Sequence, residues 1–154
     1  PRVRRFLDRL SEITVLFGQA QIQAGADALC LADHATGDLV GHWTYRDFLL
    51  PYHRWLTQRL GCPIVLHICG NTLDRMGHIC AAGFDCFHFD SKVDAQDAVR
   101  EVDGRISLMG NVNNPEVLLN GTPEQAAERT TADPLRLDAL VLCPTCRRCP
   151  IDWA

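Results

Sequence analysis

Ala24-Gly-Ala-Asp-Ala-Leu-Cys-Leu-Ala-Asp33 and Ala82-Gly-Phe-Asp-Cys-Phe-His-Phe-Asp90 are two copies of one pattern. In each, a helix ending at Ala-Gly is followed by an aspartate, then by a short apolar strand closed by a second aspartate. Glycine just past the last helical turn is a common C-terminal stop, so each copy reads as helix, tight turn, strand. Apolar runs at Ile64 to Cys69, Arg105 to Val112 and Leu137 to Leu142 bring the predicted strands to five. The segments between them read mostly as helices. Thr44 can cap a helix running through Phe48 to Leu60, and Thr122-Pro-Glu-Gln125 is a capping box with proline at the first helical position. Strand and helix in strict alternation imply parallel β/α units.

Five consecutive β/α units fit either an open doubly wound sheet or most of a (β/α)8 barrel. No Gly-x-Gly-x-x-Gly turn follows any strand, so a dinucleotide-binding sheet lacks its fingerprint. The barrel is favoured: an α/β fold in which residues 1–154 form one partial domain, the C-terminal five units of a TIM barrel. Such barrels build their sites from residues at the C-terminal ends of strands. Asp33, His67 with Cys69, Asp90, Asn111 and a late cysteine cluster all occupy that position in their units.

Among these, His67-Ile-Cys69 has the most specific chemistry. Side chains two apart on a strand share a face at a separation of about 6.5 Å. An imidazole and a thiolate so placed can bind one metal ion, and catalytic zinc commonly takes three protein ligands and leaves the fourth position open. Cys143, Cys146 and Cys149, directly after the apolar run Ala139 to Leu142, are where a third ligand is to be sought. A self-contained metal knuckle in that cluster would need a fourth ligand from elsewhere. Cys30, Cys62, Cys80 and Cys86 stand among apolar or small residues and read as packing residues, because cysteine is among the most buried residue types.

Composition narrows the class. The chain has 154 residues, 47% of them apolar, enough for one globular core. Net charge is −4 and the only lysine is Lys92, so the clustered basic surface that nucleic acid requires is missing. No apolar stretch approaches the roughly 20 residues needed to cross a membrane, and Pro1 to Arg5 lacks a signal-peptide pattern. Eight cysteines without a secretory signal point to reduced thiols in a cytoplasmic setting.

Several strings together resemble one family. Ala24-Gly-Ala-Asp27, Ala32-Asp-His-Ala-Thr-Gly-Asp38, Leu50-Pro-Tyr52, His67-Ile-Cys-Gly-Asn71, Leu108-Met-Gly-Asn-Val112 and Asn120-Gly-Thr-Pro-Glu124 look like the uroporphyrinogen decarboxylase superfamily. Within it they are most similar to the zinc-dependent methyltransferases that move a methyl group from a corrinoid protein to a thiol such as coenzyme M. The resemblance runs from about Phe6 to Cys146, and His-x-Cys-Gly-Asn is its most specific part. It implies His67, Cys69 and Cys146 as zinc ligands and catalytic groups, a methylcorrinoid on a partner protein or domain as donor, and a small thiol as acceptor. The family's last turn reads Pro-Gly-Cys-Gly, whereas this chain has Pro144-Thr-Cys-Arg147 followed by Arg148-Cys149-Pro150, so Cys143 competes with Cys146 for the third position. A zinc-bound thiol is deprotonated, and two thiolates with one neutral imidazole leave the site near zero net charge. Metal-free decarboxylation of uroporphyrinogen and an inactive barrel fragment are the competing readings; the first leaves the His-x-Cys pair without a purpose.

The remaining polar residues have smaller roles. Asp33, Asp90 and Asn111 are the candidate substrate-binding residues, each with capping of the following loop as its alternative. On the third predicted strand Cys86, His88 and Asp90 share one face, leaving Phe87 and Phe89 for the helices. Asn71 is expected to hold the loop after Cys69. His34, His42, His53 and His78 read as solvated loop or helix-surface residues.

Overall fold

The structure is a computed structural model that describes residues 2–131. Four strands, β1 (Leu29–Asp33), β2 (Ile64–Ile68), β3 (Cys86–Phe89) and β4 (Ser107–Met109), form one parallel sheet in the order β1-β2-β3-β4. Sequential parallel neighbours require a crossover each time, and helices supply it. α1 (Arg2–Gln23) leads into β1, α3 (Leu50–Thr57) into β2, α4 (Met76–Cys80) into β3, and α5 (Ala95–Val102) into β4; α6 (Pro123–Thr131) follows β4. Leu137 to Leu142, expected to be a fifth strand, lies outside the described residues, as does Cys146.

The alternation along each strand decides which face is covered. On β2, Ile64, Leu66 and Ile68 are at most 2% exposed, while Val65 and His67 stand half-buried on the other face. Phe87 and Phe89 do the same on β3, and with Leu108 they meet Leu50, Met76, Ile79, Ala98 and Val102 in a continuous core between sheet and helices. The opposite face carries Cys30, Ala32, His67 and His88 and is open among the described residues. Cys30, expected to pack, is therefore exposed, because alternation places it with Ala32 on that open face. Cys62 and Cys80 are partly buried against the core.

The repeated motif has a local explanation. After its Gly the Asp85 carboxylate accepts the Ile64 amide (2.9 Å) while the Asp85 amide donates to the Ile64 carbonyl (3.1 Å), which sets the register of β3 against β2. Val65 consequently faces Cys86 and His67 faces His88.

Two sequence expectations need correction. Thr44 does not cap a helix: Gly41 precedes α2 (His42–Thr44), which runs through a wide turn at Tyr45–Leu49 into α3. The reason is Pro51, whose ring clashes with the carbonyl four residues back in a regular helix. Here the Leu50 amide reaches back five residues to the Tyr45 carbonyl, and the widened turn admits the proline. Strand β4 is also shorter than Arg105 to Val112. Arg105 is held outside it by the Val102 carbonyl, which accepts both its amide and its Nε. By contrast the Thr122 box forms as read, with the Thr122 amide donating to Gln125 Oε1 (2.9 Å) and the Gln125 amide to Thr122 Oγ1 (3.3 Å).

Candidate functional site

His67 is the penultimate residue of β2 and Cys69 the first residue past it, so both leave the sheet on its open face. His67 Nε2 lies 2.9 Å from Cys69 Sγ. His67 Nδ1 lies 3.2 Å from the His88 carbonyl oxygen. A carbonyl only accepts, so Nδ1 carries the proton and Nε2 presents its lone pair to the thiol. Orientation of a ligand imidazole by a backbone carbonyl is the usual outer support of a metal-binding histidine. The two side chains therefore meet in a direct contact on the open face of the sheet.

The turn after Cys69 is built by three loops. Gly70 has φ +84°, and a Cβ there would stand 2.4 Å from Thr36 Oγ1 and 2.5 Å from Asp38 Oδ2, so only glycine fits. Its amide donates to Asp90 Oδ2 (2.9 Å). The Asn71 carbonyl accepts from the Gly37 amide (2.7 Å) and from Thr36 Oγ1 (3.1 Å), and the Asn71 amide donates to Asp38 Oδ2 (3.3 Å). Lys92 Nζ closes this corner on the same Asp38 oxygen at 3.0 Å. Asn71 does hold the loop, mainly through its backbone.

A cavity of about 530 Å³ opens on this face, lined by His67, Cys69, His88, Asp90, Asn111 and Asn114 among others. Asp90 faces it, yet its oxygens are engaged: Oδ1 accepts from the Lys92 amide (3.0 Å) and Ser91 Oγ (3.2 Å), and Oδ2 from Gly70. Burial opposes its charge, but these amides outweigh burial and hold the carboxyl below the ordinary carboxylate range. Asn111 also lines the cavity while its Nδ2 donates to the carbonyls of Val93 (2.7 Å) and Asp90 (3.3 Å). His88 lies with its ring centroid 4.5 Å from that of His67. Burial and then the neighbouring His67 push its pKa down, against a smaller upward pull from Asp90.

Asp33 is the exception among the candidates. The alternation Leu29, Leu31, Asp33 places it on the covered face with Ile68, its partner in register, rather than toward the cavity. There its Oδ2 meets His53 Nε2 at 3.0 Å, and His53 Nδ1 lies 2.9 Å from the Tyr45 hydroxyl. His53 is 3% exposed, which corrects its reading as a solvated residue. The signal was present: Leu50, His53 and Leu56 follow the helical period and bury one face of α3. His34 is exposed and His42 and His78 half-buried, as surface histidines are. Burial raises the Asp33 pKa, but the His53 contact and the Ala35 amide more than reverse this and leave it lowered. Arg75, which sequence reading passed over, is wholly buried and donates to the carbonyls of Ala35 (2.6 Å) and Val40 (2.8 Å).

Among the described residues no three His, Cys, Asp or Glu side chains converge as a metal site; His67 and Cys69 stand together as a pair. An imidazole nitrogen and a thiol sulfur are the donor types zinc prefers, so the pair fits that ion. No helix among the described residues is long and apolar enough to cross a membrane.

Comparison with known proteins bears on this arrangement. A sequence profile of the family "Uroporphyrinogen decarboxylase (URO-D)" matches residues 1–134. The chain is 36% identical over 130 residues to a methylated-thiol–coenzyme M methyltransferase of Methanosarcina mazei, covering 84% of this chain and 35% of that protein. It is 33% identical to the methylcobamide:CoM methyltransferase MtbA of Methanosarcina acetivorans, covering 82% and 38%. Uroporphyrinogen decarboxylases match as well, that of Shewanella pealeana at 32% identity over 77% of this chain and 34% of its own. Among solved structures a methyltransferase from Methanosarcina mazei superposes with a TM-score of 0.76 at 28% identity, over 79% of this chain and 37% of that one. The chain spans little more than a third of the length of these relatives.

Proposed function

Because the chain belongs to the uroporphyrinogen decarboxylase family and is a partial barrel of its fold, we propose that it carries the ligand-bearing part of a methyltransferase site that moves a methyl group from a methylated corrinoid protein to a small thiol. The observation that supports this reading is the His67–Cys69 pair, poised at 2.9 Å on the open face of the sheet with the imidazole tautomer already set. His67 Nε2 and Cys69 Sγ would hold a zinc ion, with Cys146 as the third ligand. That ion supplies Lewis acidity, which keeps an acceptor thiol ionised near neutral pH.

The chain's own residues do the remaining work. The His88 carbonyl keeps His67 from rotating, and Gly70 with Asp90 fixes the direction in which Cys69 leaves the strand. Asp90 and Asn111 wall the cavity and hold its lining loops; through their exposed edges they would meet the acceptor. His88 stands half-buried beside the pair, its ring centroid 4.5 Å from that of His67. A metal-free decarboxylase would leave this geometry unused.

Zinc content of the purified protein tests the proposal. About one zinc per chain is expected when the barrel is completed by the remaining β/α units, lost in Cys69→Ala and strongly reduced in His67→Ala. Of Cys143→Ser, Cys146→Ser and Cys149→Ser, only Cys146→Ser should lose zinc and methylation of coenzyme M by a methylcorrinoid. Full zinc retention by Cys69→Ala, or uroporphyrinogen decarboxylation that survives loss of the pair, would overturn it.

A further inference from the structure

The Tyr45–His53–Asp33 chain lies behind the sheet, and nothing in the methyl-transfer reading requires it. We propose that it is a positioning device for the His67–Cys69 pair, acting through the loop 33–40; the proposal rests on reading that pair as ligands. The connection is continuous. His53 Nε2 holds Asp33 Oδ2 (3.0 Å), and Asp33 Oδ1 accepts the Ala35 amide (3.0 Å), which fixes the first turn of the loop. Arg75 clamps the Ala35 and Val40 carbonyls at either end. Between them Gly37 and Thr36 donate to the Asn71 carbonyl, and Asp38 accepts the Asn71 amide. The loop also leaves no room for a side chain at residue 70, the neighbour of Cys69. The backbone that aims the thiol is therefore set by a loop whose root is fixed from α3.

The chemistry of the chain supports positioning over simple packing. An apolar side chain of similar volume at residue 53 would fill the slot beside Tyr45 and Phe84, whose ring centroid lies 5.2 Å from that of His53 in an edge-on contact. An apolar side chain would offer Asp33 no donor, whereas the imidazole holds its Oδ2 at 3.0 Å. A carboxylate only accepts, so His53 Nε2 carries a proton for Asp33 whichever way the bond between Nδ1 and the Tyr45 hydroxyl runs, and the direction of the carboxylate is set by it.

The test compares His53→Leu, which removes both hydrogen bonds, with His53→Gln, which can still donate to Asp33, and with Tyr45→Phe, which deletes only the hydroxyl. In chelator-treated full chain, the alkylation of Cys69 by iodoacetamide is measured relative to Cys30, an exposed thiol on the same face of the neighbouring strand. Opening of the whole fold raises both thiols together and leaves the ratio unchanged. Release of Cys69 from its fixed place beside His67 should change the ratio by about threefold in His53→Leu, with recovery in His53→Gln. Cobalt(II) affinity of the same proteins, completed by the remaining β/α units, should fall by about tenfold in His53→Leu. An unchanged ratio and unchanged affinity, with only the melting temperature lowered, would overturn the proposal. Should His53→Leu fail to fold, Tyr45→Phe decides in the same way. If the wild-type chain, completed by the remaining β/α units, binds no cobalt yet the ratio still changes in His53→Leu, the ligand reading fails while the positioning of the His67–Cys69 contact stands.

Discussion

At Gly70 one missing side chain decides whether the site can form. Its φ of +84° and the 2.4 Å approach to Thr36 Oγ1 mean that Gly70→Ala must displace the 33–40 loop. We expect a stability loss of about 1–3 kcal/mol by urea denaturation, accompanied by loss of zinc. Asp33 gives a second test at this scale. Its carboxyl is held below the ordinary range in the fold, so the unfolded chain takes up the proton more readily. The stabilisation is complete above the unfolded value near 4 and is lost as pH falls through that value toward the lower folded one. Asp33→Asn should therefore be less stable than the wild type at pH 7, by about 1–3 kcal/mol, and the difference should shrink below about pH 4 in pH-dependent melting curves. The sequence shows Asp33 at a strand end, where pocket residues gather, and that position suggested the cavity. Counting faces from Leu29 and Leu31 sends it the other way, and the period of α3 brings His53 to meet it. Both were legible as periodicities. The chain of hydrogen bonds from Asp33 to Asn71 was not, because it joins residues 38 positions apart through backbone atoms that no side-chain pattern records.

The elements were easiest to read where local chemistry and burial agree. Asp85 sets the register of β3, and the Phe87–Phe89 alternation buries one face of it, so its place followed from nine residues. Phe87 is fully buried between sheet and helices, and Phe87→Ala should cost about 3–5 kcal/mol in equilibrium unfolding without changing the secondary-structure content. Asp94 caps α5 by accepting the amides of Gln96 (2.9 Å) and Asp97 (3.0 Å); Asp94→Ala should cost about 1 kcal/mol by the same measurement. The segment 42–57 was harder. Thr44 has the chemistry of a cap, but the helix begins earlier at Gly41 and spends one wide turn on reaching Pro51. A cap signal competes there with a proline signal, and the sequence does not say that the backbone can satisfy the proline by widening instead of stopping.

For the whole molecule, the count of parallel units already told that the sheet does not close on itself, and the described residues make the consequence concrete. Among these residues strands β1 and β4 each have an edge without a partner, and none of them forms an opposite wall over the face carrying Cys30, Ala32 and His67. Helix α1 adds a further uncovered surface. Ser11, Val15 and Gly18 are turned inward, while Val3, Phe6, Ile13, Leu16 and Phe17, each more than half exposed, form an apolar stripe on the remainder of the helix. In a closed barrel both kinds of surface are covered, the edges by neighbouring strands and the helix flanks by neighbouring helices. Unpaired parallel edges and a large apolar patch both promote association. The chain of 154 residues, prepared by itself, should therefore sediment as oligomers or aggregate at micromolar concentration, and Phe6→Glu with Phe17→Glu should lessen the association without restoring zinc binding. A monomer that unfolds in one cooperative transition would show that the chain is self-sufficient and would count against its being a piece of a closed barrel. If association is suppressed by supplying the remaining β/α units as a second polypeptide, and zinc is then retained, the uncovered surfaces and the loss of zinc have one common cause.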